Sequence, residues 1–305
     1  MSNFVRASCR YSLLGLEHGA ANSHGFLPMK LLPTVLRFTT LLAALSLTLA
    51  AQPDGPKSDR NLVATLPTLF LVGDSTVKNG SGAGEGGLWG WGAPIAASFD
   101  ATKIRVENRA LGGRSSRSFL TEGLWEKVLA EVKAGDFVMM QFGHNDGGSL
   151  TAGRARASLK GNGDETVSVV IEASGQREVV HSYGWYLRKY IADAKAKGAT
   201  PIVLSPVPRN MWKVGKVNRA SGDYGKWAAE AAQAGGALFI PLNDLVADAY
   251  EAEGSEKVGA RYFTVKDHTH TSVAGARLNA AKVVDGVKAL KDCPLSTYTS
   301  DVAHQ

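Results

Sequence analysis

Short apolar runs that end abruptly in glycine and polar residues set the strongest limit on how this chain can fold. Residues 69–72 (LFLV) form one such run, followed at once by Gly73, Asp74, Ser75 and Thr76. Residues 136–142 (DFVMMQF) form another, ending in Gly143, His144, Asn145 and Asp146. A strand that is apolar on both faces belongs in a parallel sheet covered by helices on both sides. Further strands are expected at 103–107, 201–205 and 237–241. Between them lie helical patterns near 93–100, 119–133, 183–197, 224–234 and 243–253, with a last helix running to about Leu290. Strand and helix alternating at this spacing give the α/β class, with a parallel sheet and right-handed crossovers.

The chain of 305 residues is long enough to bury a sizeable core in one domain. Its formal charge of +6 is partly a property of the N-terminus, where Arg6, Arg10, Lys30 and Arg37 face one acid, Glu17. Without residues 1–51 the balance is about +3 by the same counting, and the basic residues are scattered, which argues against a nucleic-acid partner. The two cysteines, Cys9 and Cys293, cannot form a disulfide framework. Met29-Lys30, Arg37, an apolar run over 38–49 and Ala50-Ala51 have the layout of a secretory signal. The expectation is a secreted or periplasmic protein, with translation starting at Met29 and cleavage after residue 50 or 51; the intact mass of the exported chain checks it. The apolar run is short for a membrane span, and no membrane partner is expected after cleavage. Residues 52–66 read as a Pro-, Gly- and charge-rich linker, 67–295 as the folded domain and 296–305 as a tail.

In a parallel sheet all strand carboxyl ends lie on one edge, so loops distant in sequence meet there. Asp74-Ser75, Gly112-Gly113, His144-Asn145 and the loop 206–218 all follow strand ends. Together with a late histidine and aspartate they supply the parts for acyl transfer: nucleophile, base, orienter and oxyanion donors. Taken singly, each has a plainer reading. Asp74-Ser75-Thr76 could cap a helix, Gly112-Gly113 and Asn145 could be turn residues, and Asp267 and His270 could be surface groups at a helix start. His144 is read as structural.

Four ordered blocks, GDST (73–76), NRALGGRSSRSF (108–119), QFGHND (141–146) and DHTHTS (267–272), resemble those of the SGNH (GDSL-type) hydrolases, and most closely the rhamnogalacturonan acetylesterases. The resemblance covers about 68–290 and implies a three-layer α/β/α sandwich around a five-stranded parallel sheet of flavodoxin-like type. It makes Ser75 the nucleophile, His270 its general base and Asp267 the group that orients the imidazole. It makes the N–H groups of Ser75 and Gly113 and the side-chain amide of Asn145 the oxyanion donors. Asp267 and His270 are expected one turn apart, just before the last helix. No metal or organic cofactor is implied.

Three rival motifs fail on spacing. Gly82-x-Gly84-x-x-Gly87 lies nine residues beyond Gly73 and opens no helix, unlike a dinucleotide turn. His268, His270, Asp267 and His144 match no established zinc spacing. The lipase elbow G-x-S-x-G would need glycine where Val77 stands. The implied substrate is an acetylated plant cell-wall polysaccharide, rhamnogalacturonan or pectin. Trp89, Trp91 and Trp212 could stack on sugars, with packing as the alternative, and Arg114, Arg117 and Arg209 could meet carboxylates. Two other functions fit the scaffold: a lipase or thioesterase, and an inactive carbohydrate-binding protein. The segment 149–180 reads as a long loop that could cover or narrow the cleft.

Overall fold

The structure is a computed structural model and describes residues 66–78, 84–220 and 223–300. The signal segment, the linker up to residue 65, the start of the Gly82 motif and the last five residues lie outside the described residues. The chain runs β1 (Thr68–Gly73), β2 (Arg105–Asn108), α1 (Ser116–Thr121), α2 (Leu124–Glu131) and β3 (Phe137–Gln141). It continues through β4 (Thr166–Val170), β5 (Arg177–His181), α3 (Tyr183–Ala196), β6 (Thr200–Leu204), β7 (Trp212–Lys213) and β8 (Lys216–Val217). It ends with α4 (Tyr224–Gly235), β9 (Leu238–Ile240), α5 (Leu242–Glu253), α6 (Ser255–Tyr262), β10 (Phe263–Thr264), β11 (Asp267–Thr271) and α7 (Val273–Ala289).

The central sheet has five parallel strands in the order β2-β1-β3-β6-β9. Side chains of a strand alternate between faces, and here both faces are apolar. Leu69, Leu71, Phe137, Met139, Ile202 and Leu204 pack with Val246, Tyr250, Val283 and Val287 of α5 and α7. Phe70, Val72, Val138, Met140 and Val203 pack with Phe119, Trp125, Leu187 and Tyr190 of α1 to α3. This is the expected α/β/α sandwich, and it explains why the strand runs lack polar alternation. The strand order reverses at β1, so the carboxyl ends of β1 and β3 flank the crevice where such sheets bind ligands.

Several elements differ from the sequence expectation. The helix expected over 119–133 is two helices broken at Gly123, whose φ is 69°. The helix expected near 93–100 is a 3₁₀ turn over Ile95–Ser98. The segment 149–180 is not all loop: β4 and β5 form an antiparallel hairpin that leads into α3. Arg117, 1% exposed, ties this segment to α1. Its guanidinium donates to both oxygens of Glu178 on β5 (2.7 and 2.8 Å) and to the carbonyls of Leu150 (3.1 Å) and Ala157 (2.8 Å). A buried cation is tolerable only when paired in this way, so Arg117 is structural and cannot meet substrate. A small hairpin, β7–β8, sits within 206–218. A further helix, α6, precedes the β10–β11 hairpin.

Candidate active site

The turn after β1 is packed against its neighbour strand. A Cβ on Gly73 would lie 2.5 Å from the Gln141 carbonyl and 2.6 Å from the Val77 side chain, so only glycine allows this approach. Asp74 is fully buried, and its Oδ1 accepts the N–H (2.8 Å) and O–H (2.7 Å) of Thr76. Its carbonyl accepts the N–H groups of Val77 and Lys78. The capping role thus falls to Asp74, which leaves the Ser75 hydroxyl at the turn's surface, 8% exposed. Gln141 braces the turn: its Nε2 donates to Thr76 Oγ1 (2.5 Å), while its Oε1 accepts Trp91 Nε1–H (2.9 Å). Trp91 is therefore a buried strut behind the Ser75 turn, and stacking on a sugar is closed to it.

From the far end of the chain, β11 brings His270 and Asp267 to the same point. Ser75 Oγ lies 2.7 Å from His270 Nε2, and His270 Nδ1 lies 2.7 Å from Asp267 Oδ2. The two residues arise on a hairpin strand rather than on a turn before α7. The spacing still works because Asp267 Oδ1 accepts the backbone N–H of Thr269 (2.7 Å) and of His270 (2.9 Å), folding the carboxylate back over the strand. Burial raises the Asp267 pKa, but these N–H groups and the imidazole outweigh it and hold the carboxyl below the ordinary range. With Nδ1–H given to the carboxylate, Nε2 keeps its lone pair for the Ser75 proton. The ribbon is moored to the loop before the first helical layer: Trp89 N–H donates to the Thr271 carbonyl (2.7 Å) and Thr271 Oγ1 to the Trp89 carbonyl (2.9 Å). Asn210 N–H donates to the His268 carbonyl (2.8 Å).

The third side comes from the loops after β2 and β3. Gly113 has φ 79°, a left-handed conformation that glycine adopts without strain. Asn145 is buried, and one N–H of its amide donates to the Arg114 carbonyl (2.9 Å), joining the two loops. The next residue strengthens that joint. Asp146, fully buried, accepts the N–H (3.1 Å) and O–H (2.5 Å) of Ser116 and the O–H of Ser158 (3.1 Å). Burial pushes its pKa up to about 6 against the pull of these hydrogen bonds. His144 Nδ1 lies 4.0 Å from Asp74 Oδ2, and burial holds the pKa of His144 down.

Ser75, His270, Gly113 and Asn145 line one cleft of about 920 Å³, with His144, Arg114, Arg154, Arg156 and Arg209 around them. Trp89 and Trp212 are not in its lining. Trp89 moors the histidine ribbon, and Trp212 packs against the core with its Nε1–H on Asn210 Oδ1 (2.7 Å). Sequence reasoning missed Gln141 and Asp146, although both lie within the QFGHND block it singled out. It also missed the lining role of Arg154 and Arg156, which sit in a stretch without periodicity. Among the described residues no three His, Cys, Asp or Glu side chains are grouped to hold a metal ion. The arrangement can relay a proton from a hydroxyl to a carboxylate-backed imidazole, beside backbone and amide donors.

The sheet order and this site define an ester hydrolase of the SGNH type, and comparison with known proteins agrees. Residues 71–278 match the GDSL-like lipase/acylhydrolase family, and the chain belongs to it. It is 34% identical to the rhamnogalacturonan acetylesterase of Emericella nidulans over 217 residues, covering 71% of this chain and 83% of that one. It is 30% identical to the probable rhamnogalacturonan acetylesterase YesY of Bacillus subtilis, over 73% of this chain and 93% of that one. The fold resembles the crystal structure of protein YXIM of Bacillus subtilis, with a TM-score of 0.59 and 24% identity over 73% of this chain. This chain spans 56% of that longer protein.

Proposed function

We propose that the protein is a secreted esterase that removes acetyl groups from plant cell-wall polysaccharide, rhamnogalacturonan in particular, through an acyl-enzyme. The observation that carries the reading is the unbroken relay of 2.7 Å from Ser75 to His270 and 2.7 Å from His270 to Asp267, opening on a cleft of about 920 Å³. Ser75 Oγ gives its proton to His270 Nε2 and bonds to the acetyl carbon. Asp267 stabilises the imidazolium that forms. The carbonyl oxygen becomes an oxyanion among the N–H groups of Ser75 and Gly113 and the free N–H of the Asn145 amide. His270 returns the proton to the sugar oxygen as that C–O bond breaks. Water then repeats the sequence on acetyl-Ser75, releasing acetate and restoring the hydroxyl.

The names of the two relatives support a pectic substrate, and the four arginines lining the cleft suit a carbohydrate, an acidic one above all, better than an acyl chain. The test is acetate release from acetylated rhamnogalacturonan, set beside p-nitrophenyl acetate and a long-chain ester. Wild type is expected to work on the polysaccharide and the acetate ester, and Ser75→Ala to lose roughly 10⁴- to 10⁶-fold in kcat. Full activity in the alanine variant would rule out the nucleophile, and turnover of the long-chain ester alone would rule out the carbohydrate.

A further inference from the structure

Arginine is in excess around the cleft. Arg114, Arg154, Arg156 and Arg209 line it, and among the described residues Glu122 is the one lining acid. Glu122 is already engaged, 2.8 Å from Arg114. Three of the four cations also grip the backbone of the site loops. Arg114 Nη1 donates to the Gly112 carbonyl (3.0 Å), Arg156 Nη1 to the Gly113 carbonyl (2.7 Å) and Arg209 Nη2 to the His144 carbonyl (3.4 Å).

Arg154 differs from all of them. It is exposed, and among the described residues it has no hydrogen-bond or ion-pair partner. Its guanidinium is nonetheless held over the oxyanion turn: a Cβ on Gly113 would lie 2.5 Å from Arg154 Nη1 and 3.4 Å from Arg156 Nη1. Ala155, between the two arginines, holds φ 46°, a left-handed conformation that side chains other than glycine seldom adopt. Burial lowers the Arg156 pKa and the positive charge of Arg154 lowers it further, against the pull of the buried Asp74 and Asp146, so the two guanidiniums repel each other. A planar guanidinium with free N–H groups is matched by a carboxylate, which it can bind through two parallel hydrogen bonds.

We propose that Arg154, seconded by Arg156, forms a carboxylate subsite beside the acetyl position, selecting esters on a sugar that bears or adjoins a uronate. This rests on the esterase reading above and deepens it, by assigning the choice between acidic and neutral glycans to the 149–165 segment.

The measurement is a ratio: kcat/KM for acetate release from an acetylated uronate-containing oligosaccharide, divided by that for the same oligosaccharide with its carboxyl groups reduced to alcohols. Because both rates come from one preparation, any misfolded fraction cancels. Wild type is expected to favour the acidic substrate. Arg154→Ala should cut the ratio about tenfold to a hundredfold, Arg154→Glu further still, and Arg154→Lys less than alanine. The wild-type preference should shrink as salt rises from about 0.05 M to about 0.5 M. A ratio near one in wild type, or one unchanged by Arg154→Ala and Arg154→Glu, would overturn the subsite while leaving the esterase reading in place. No Ser75-dependent acetate release from either oligosaccharide would overturn the esterase reading itself.

Discussion

The two halves of the proton relay are built in opposite ways. Ser75 stands on a turn sealed into the sheet: Gly73 touches β3, Asp74 is fully buried, and Thr76, Gln141 and Trp91 form a chain of hydrogen bonds behind it. His270 and Asp267 ride on a two-stranded ribbon at the periphery, with side chains 28% and 27% exposed. That ribbon shares no hydrogen bond with the central sheet, and the exposed Val265 lies between its strands. The ribbon is moored by Phe263, which is buried in the core against Tyr250, by a bridge to Trp89, by one bond from Asn210 and by the start of α7. On the proposed mechanism, the attacking hydroxyl is thus anchored by the sheet, while its base is carried by a separate ribbon.

Three substitutions test that contrast. The largest effect is expected at the ribbon. Asp267→Asn removes the charge that sets the imidazole tautomer, and kcat should fall by roughly 10³ to 10⁴ with little change in melting temperature. A loss under tenfold would mean that the ribbon orients His270 without its carboxylate.

The second concerns the sealed side. Asp146 has its pKa raised from 3.8 to about 6 in the folded state. The native state therefore holds this proton more tightly than the unfolded chain. The resulting stabilisation is present in full below about pH 4 and is lost as pH rises through about 6. At about 1.4 kcal/mol per pKa unit, the rise corresponds to about 3 kcal/mol. In Asp146→Asn the proton equilibrium is absent, so the stability of wild type minus variant should decrease between pH 4 and pH 7 in chemical denaturation. A difference that is flat with pH would show that Asp146 is ionised throughout.

The smallest effect should come from Thr271→Val, which deletes the hydroxyl that donates to the Trp89 carbonyl. Unfolding free energy should drop by about 1 kcal/mol and kcat severalfold. A larger loss of stability than of activity would erase the distinction between ribbon and sheet.

Legibility in the sequence followed the same division. Residues 69–76 and 136–146 could be read because an uninterrupted apolar run ends at the residue that carries the chemistry. The parallel sheet and the convergence of Ser75, Gly113 and Asn145 follow from those signals and the topology of parallel sheets, whereas the flavodoxin-like arrangement comes only with the family resemblance. Elements outside the sheet carry no such signal. β4 alternates polar and apolar residues (Thr166, Val167, Ser168, Val169), but it lies in a Gly- and Ser-rich stretch that reads as loop. β11, DHTHT, is polar throughout, so its strand conformation comes from pairing with β10 and from the fold of Asp267 onto its own backbone, neither of which is a propensity. Trp91, flanked by glycines, reads from sequence equally well as a sugar-stacking aromatic or as loop packing. Only the spatial position of Gln141 decides that it faces inward.

The guanidinium of Arg117 carries a consequence for anyone who would trim this enzyme. Excising 149–181 to reach a minimal scaffold would strip that cation of Glu178 and of both carbonyl partners at once. Shortening the loop would then destabilise the helix that begins beside the oxyanion turn. A viable truncation has to exchange Arg117 for an uncharged side chain of similar bulk in the same step, so insertion and helix are inherited as a pair.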